Sequence, residues 1–74
     1  MNGLSRRQQE VYNFINDYND KNGIGPSLFD IANELNLAKS TIVAYVENLR
    51  KKNRVTNTPG VHRSLKVVSV DNIS

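Results

Sequence analysis

The sequence predicts a small, mainly helical domain: three helices followed by a two-stranded antiparallel hairpin. Three observations carry this expectation. Ser5 with Gln8, and Ser27 with Asp30, form helix-start signals, each ahead of an apolar run at helical spacing. Residues 39–52 form a third amphipathic stretch, in which Ile42, Val46 and Leu49 fall at i, i+4 and i+7 and so share one helical face. Beyond Asn53 the helical spacing gives way to β-branched residues on both sides of Pro59-Gly60, the pattern of two short strands around a turn.

The first helix runs from the Ser5 cap to about Asn22. Ser5 accepts from the backbone N–H three residues on, and Gln8 reaches back to the N–H of Ser5. Val11, Ile15 and Tyr18 lie on one stripe, with Phe14 beside it and Tyr12 nearer its edge, so aromatic bulk is expected in the core. Asn22-Gly23 ends the helix, and Ile24-Gly25-Pro26 cannot continue it. The second helix is brief. Ser27 caps it, Leu28, Ile31, Ala32 and Leu35 form its apolar face, and Asn36 can take the left-handed conformation that stops it. Leu37-Ala38 then leads into the third helix, which Asn53 ends. Two helices joined by three or four residues, the second one basic and amphipathic, make a helix-turn-helix.

The hairpin is read as Val55-Thr56-Asn57, a Pro59-Gly60 turn of type II, and a return strand from Arg63 to Val68. Leu65 and Val67 share a face with period two and are expected to cover the helices. A hairpin directly after such a helix is the winged-helix plan, so residues 1–68 are read as one winged helix-turn-helix domain. Residues 69–74 are a polar tail with neither helical nor strand pattern.

Composition excludes several classes of function. At 74 residues there is room for one core. No cysteine is present and His62 is the only histidine, so disulfides, a structural zinc site and Cys or His nucleophile systems have nothing to work with. No apolar run approaches the roughly 20 residues that span a bilayer, and no apolar segment follows Arg6 and Arg7, so a cytoplasmic address is expected. Gly23-Ile24-Gly25 is a turn with no phosphate-cradling signature. The expectation is a protein that is not an enzyme, with no cofactor, metal, membrane or small-molecule substrate.

Charge points to a partner. Residues 1–38 carry three cations against five carboxylates, a balance of −2, whereas residues 39–74 carry seven against two, a balance of +5. A basic block of this kind attracts polyanions. The cations Arg50, Lys51 and Lys52 also complement the negative pole of the third helix, which requires no partner at all. If the third helix enters a DNA major groove, Lys39, Ser40 and Thr41 stand at the end from which such helices reach base edges. Val43 and Ala44 are suited to thymine methyl groups and Glu47 to the cytosine amino group. Arg50, Lys51, Lys52, Arg54, Arg63 and Lys66, with Arg6 and Arg7 at the start of the first helix, are the candidate phosphate contacts. His62, at the wing tip, is a further candidate, or simply an exposed loop residue.

The runs Leu4-Ser-Arg-Arg-Gln-Gln-Glu-Val-Tyr-Asn-Phe-Ile15 and Gly25-Pro-Ser-Leu-Phe-Asp-Ile-Ala-Asn-Glu-Leu35 resemble the N-terminal DNA-binding domain of the LexA repressor family. The likeness continues through Asn48-Leu-Arg-Lys-Lys-Asn-Arg-Val55 and Arg63-Ser-Leu-Lys-Val67, and so covers essentially residues 4–68. The resemblance implies a winged helix that binds double-stranded DNA, in copies placed on paired half-sites. Two departures limit what is carried over. The chain is one residue shorter between Leu37 and Ile42, and Val43 and Ala44 stand where polar base-reading residues are expected, so no operator preference is implied. In the family a linker and a self-cleaving Ser/Lys domain follow. The present sequence ends at Ser74 without them, so self-cleavage is not implied.

The expectation is therefore a sequence-specific, double-stranded-DNA-binding transcriptional regulator in a bacterial cytoplasm or nucleoid, acting as a homodimer on DNA or with a protein partner. The alternative is a winged helix used as a protein-interaction module, a small phage-type modulator of a repressor, polymerase or replication protein. Its support is the apolar pair Val43 and Ala44 on a face where polar readers are expected.

Overall fold

In a computed structural model that describes residues 4–68, the chain forms α1 (Arg6–Asn22), α2 (Leu28–Leu35), α3 (Lys39–Lys51), β1 (Val55–Thr56) and β2 (Lys66–Val67). The architecture is a winged helix-turn-helix. The polar tail expected at 69–74 lies outside the described residues.

Local signals set the helix boundaries. At α1, Gln8 N–H donates to Ser5 Oγ at 3.2 Å while Ser5 N–H donates to Gln8 Oε1 at 2.9 Å. At α2, Asp30 N–H donates to Ser27 Oγ at 2.9 Å and Ser27 N–H to Asp30 Oδ2 at 3.1 Å, so the shorter aspartate completes the same reciprocal box. α2 and α3 end alike. Asn36 and Asn53 adopt φ of 56° and 59°, and the next residue's N–H reaches back to the last full turn: Leu37 to Ala32 O at 3.0 Å, Arg54 to Leu49 O at 2.9 Å. These bonds satisfy carbonyls that a helix end leaves orphaned. The three residues Asn36, Leu37 and Ala38 make the turn of the helix-turn-helix.

The apolar stripes converge on one core. Val11 and Ile15 of α1, Ile31 of α2, and Ile42 and Leu49 of α3 are wholly buried, and Ala32, Val46, Val55 and Leu65 complete the cluster. The aromatic side chains lie farther out than expected. Tyr12, Phe14 and Tyr18 are only half-buried, with Phe14 and Tyr18 in a tilted pair at 5.9 Å between ring centroids. For Tyr18 the reason is polar: its hydroxyl faces outward and accepts from Arg63 Nη1 at 3.1 Å.

The hairpin also differs from its expected form. β1 and β2 pair antiparallel, Val55 with Val67 and Thr56 with Lys66, and each strand is two residues long. The return strand does not run from Arg63, because Arg63 takes a left-handed φ of 55° and turns its carbonyl toward the α1–α2 linker, where it accepts from Gly25 N–H at 2.8 Å. At the tip, Gly60 (φ 80°) supplies the positive φ of the predicted turn, and Val61 N–H closes it on Thr58 O at 3.1 Å. Ser64 stitches residues 57–65 where a ladder is missing. Its Oγ accepts from Thr58 N–H at 2.8 Å and lies 3.1 and 3.0 Å from the Thr58 and Val61 carbonyls.

The wing is fastened to the helices at its base. Asn19 of α1 donates from Nδ2 to Leu65 O at 3.0 Å and to Ile24 O at 3.2 Å, and its Oδ1 accepts from Val67 N–H at 3.0 Å. Gly25 passes so close beneath Leu65 that a Cβ there would overlap the Leu65 backbone.

Candidate nucleic-acid interface

Burial of Ile42, Val46 and Leu49 fixes the rotation of α3, and the opposite face follows from the 100° step of the helix. Ser40, Val43, Ala44, Glu47 and Lys51 all lie exposed on it, and Lys39 is exposed at its first turn. These side chains form a continuous outward strip. Thr41 is not part of it: one step around the helix from Ser40, it is half-buried on the flank that carries Tyr45. The N-terminus of α3 also differs from those of α1 and α2. Ala38 occupies the cap position and makes no side-chain cap bond.

Two of the predicted contacts meet each other. Arg50 Nη2 donates to both Glu47 oxygens, at 3.0 and 3.3 Å, and both side chains are half-exposed. Such a pair is held weakly in water and exchanges for other partners at little cost. Around it run two shallow depressions. One, of about 540 Å³, lies between α3, the start of α2 and the wing, and includes Val46, Glu47, Arg50, Pro59, Val61 and His62 in its walls. The other, of about 470 Å³, runs from Glu47, Arg50 and Lys51 to Asn53, Val55 and Thr56. Arg50 stands on the rim between them.

The remaining cations fall into separate places. Lys52 Nζ donates to Gln8 Oε1 at 3.3 Å, tying the end of α3 to the start of α1 and bringing Arg6 and Arg7 to the same edge of the molecule. Arg7 pairs with Glu10 at 2.8 Å, and Arg6, almost fully exposed, approaches the same carboxylate at 4.0 Å. Arg54 is half-buried after the Asn53 turn. His62 is exposed near the tip, and Lys66 is exposed in a depression that it shares with His62, Gly23 and Ile24.

Arg63 is engaged within the fold. Its Nη1 donates to Asp30 Oδ2 at 2.9 Å as well as to Tyr18. The Asp30 carboxyl is accordingly held below its ordinary pKa, first by the Ser27 backbone N–H and then by Arg63, and the Arg63 guanidinium is raised, chiefly by its hydrogen bond to Asp30. Sequence reasoning missed this contact, the Asn19 clamp and the Lys52–Gln8 bond. Apart from the Asn19 bond to Ile24, these contacts join residues more than thirty positions apart, and no local pattern announces them.

A strip of exposed residues on the second helix of a helix-turn-helix, with cations at one end and a wing beside it, has the geometry of a duplex-DNA reader. Similarity to known proteins agrees. A family model described as the LexA DNA binding domain matches residues 1–64. Among similar relatives, the LexA repressor of Herpetosiphon aurantiacus is 31% identical over 96% of this chain and 34% of its own length. That of Acetivibrio thermocellus is 35% identical over 92% of this chain and 32% of its own. That of Thermosipho melanesiensis is 37% identical over 92% and 34%. The chain thus spans about a third of the length of the curated relatives it matches. With its fold, its matched residues and its similarity to these relatives in agreement, the chain belongs to the LexA DNA-binding domain family.

Proposed function

We propose that this chain acts as a sequence-specific transcriptional regulator, of the repressor type, that binds double-stranded DNA with α3 in the major groove and the wing alongside. The observation that carries the reading is the outward strip of α3, whose rotation is locked by the buried Ile42 and Leu49. Ser40, Val43, Ala44 and Glu47 face the base edges, with Lys39 at the entry. Thr41, half-buried on the flank, contributes through its backbone or a neighbouring phosphate. Val43, 40% exposed, and Ala44 supply apolar contact of the kind thymine methyl groups take.

Arg50 and Lys51 are the leading phosphate contacts. Arg50 exchanges Glu47 for a phosphate, which leaves the Glu47 carboxylate to accept from a cytosine amino group. Lys52, Arg54, Arg6 and Arg7 line the next stretch of backbone, and His62 and Lys66 serve the strand that the wing approaches. A single module of this kind buries about 600–1,000 Å² on DNA and binds modestly. Occupancy at cellular concentrations therefore calls for two copies on paired half-sites, or for a protein partner. The site of action is the bacterial cytoplasm or nucleoid.

The test is a mobility-shift series with genomic-fragment and random duplexes over a range of salt, with Arg50→Ala/Lys51→Ala as control. If about 4–6 phosphates are neutralised, log K falls with log salt at a slope of roughly −4 to −5. The double variant should lose most of this binding while keeping its fold. A folded wild-type protein that binds no duplex at low salt would overturn the proposal.

A further inference from the structure

We propose that Arg63 is a positioning residue: it latches the wing to α1 and α2 through Tyr18 and Asp30, and thereby sets where the wing tip stands relative to α3. This rests on the DNA-binding reading but gives Arg63 a role other than direct phosphate contact.

The ladder alone cannot hold the wing. It comprises two residue pairs, and the long excursion 57–65 lies beyond them. Arg63 sits inside that excursion and makes three connections to the helical body. Its carbonyl accepts from Gly25 N–H at 2.8 Å, and its Nη1 donates to Asp30 Oδ2 at 2.9 Å and to the Tyr18 hydroxyl at 3.1 Å. A guanidinium Nη carries two hydrogens, and both are used here. The backbone at φ 55° is one that a long side chain rarely adopts, so the residue is held there against local preference.

Both anchors are themselves fixed. Asp30 Oδ2 also accepts from Ser27 N–H in the α2 capping box, and the Tyr18 ring packs against Phe14. The latch thus joins the wing to both helices that α3 packs against. Position 63 also follows directly on Val61 and His62, which line the depression facing α3, so a shift at Arg63 passes straight to the tip. Arg63 is poorly placed as a phosphate ligand. Unlike Arg50, whose partner Glu47 lies in its own helix, Arg63 is held by Tyr18 and Asp30 on α1 and α2, so drawing it to a phosphate would release the wing from both.

The experiment compares wild type with Arg63→Asn, Tyr18→Phe, Asp30→Asn and the Arg63→Asn/Asp30→Asn double variant. Asparagine tolerates a positive φ but cannot reach Asp30, and Tyr18→Phe removes only the accepting hydroxyl, so at least one variant keeps the fold if another loses it. Two readouts are used: ¹⁵N relaxation order at Val61 and His62 in the free protein, and affinity for a duplex bound by wild type, across salt. The latch predicts that tip order falls in Arg63→Asn from near 0.85 toward about 0.6 or below. It also predicts that affinity drops roughly three- to tenfold in Arg63→Asn and Asp30→Asn alike, and that the double variant binds no worse than the singles, as coupled partners do. The salt slope should stay unchanged. A direct phosphate contact predicts the reverse: unchanged tip order, a slope reduced by about 0.9, and tighter binding by Asp30→Asn, which removes a repelling carboxylate. That result, or no change in either readout, would overturn the proposal. Should wild type bind no DNA, the functional reading fails, while tip order in the free variants still decides the latch.

Discussion

The third helix and the wing stand side by side, yet they are held by different physics. α3 is anchored by apolar burial: Ile42 and Leu49 have no exposed surface, and Val46 has little. Its exposed strip lies outside the buried cluster, so Ser40, Val43 and Ala44 can be exchanged without turning the helix. In the wing, Val55 and Leu65 are buried in the core and Val67 packs against it, while the excursion between the two strands is otherwise attached by a handful of hydrogen bonds involving Asn19, Gly25, Asp30 and Tyr18. Apolar anchoring is non-directional and shared among many contacts, whereas each of these polar bonds has one geometry and one partner. The exposed strip is therefore free to diverge, and the placement of the wing's excursion depends on single polar residues distant in sequence.

The largest effect that would break this contrast is expected at Leu49. Leu49→Ala should cost about 3–5 kcal/mol through lost burial and a residual cavity, read from urea unfolding followed by circular dichroism. For a domain of this size that is most of the available stability. On the opposite face, Ala44→Gln should stay within about 0.5 kcal/mol. If the two changes proved comparable, the strip would share in the packing and the division between anchoring and reading would be wrong.

Next come the two points where the wing base meets the helices. Gly25→Ala places a methyl group into the Leu65 backbone, and overpacking against main chain, which cannot rotate away, should cost about 2–3 kcal/mol. Asn19→Ala removes the acceptor for Val67 N–H and the donor for Leu65 O, at about 1–3 kcal/mol. Hydrogen exchange sharpens the distinction. The Val67 amide should lose protection in Asn19→Ala while amides within α3 lose only what the global destabilisation dictates. Uniform loss would mean that wing and helices open as one unit.

What could be read from the sequence follows the same division. Ser5, Ser27, Asn36 and Asn53 were legible because a helix end is decided within a few residues. The rotation of α3 was legible because Ile42, Val46 and Leu49 have a period, and the exposure of Ser40, Val43, Ala44 and Glu47 comes with it. Thr41, a single step around that helix from Ser40, is half-buried, which the spacing alone does not show. Asn19 could not have been singled out, since α1 also carries Asn13, Asn16 and Asn22, and only the arrival of the wing distinguishes one of them. Arg63 read as part of an extended strand with a free cation because its β-branched and basic neighbours suggested nothing else. Its partners lie 33 and 45 positions away, and they reverse both inferences. Local chemistry specifies the helices, while the wing is specified by contacts that exist only once the chain has folded.

The smallest effect expected is also the most selective, a loosening of the wing by acid. In the folded chain the Asp30 carboxyl sits below its ordinary pKa, so in acid the unfolded state binds more protons than the folded one. The stability this provides is fully present above the ordinary carboxylate value of about 3.9 and is lost as pH falls through the lower folded value. The raised pKa of Arg63 works in the opposite sense, losing its contribution only in strong base, and does not enter this window. Thermal unfolding of wild type and Asp30→Asn should therefore be fully separated above about pH 4 and converge only as pH falls through the lower folded value. Arg63→Asn resolves the two causes. The Ser27 N–H, which lowers the Asp30 pKa most, remains in that variant, so a reduced acid dependence should persist and report the α2 cap alone. If Arg63→Asn instead abolished the dependence, the latch would dominate the carboxylate and the cap would follow it. If it changed nothing, the ion pair would contribute nothing in water, and the wing would be held at its base by Asn19 and Gly25.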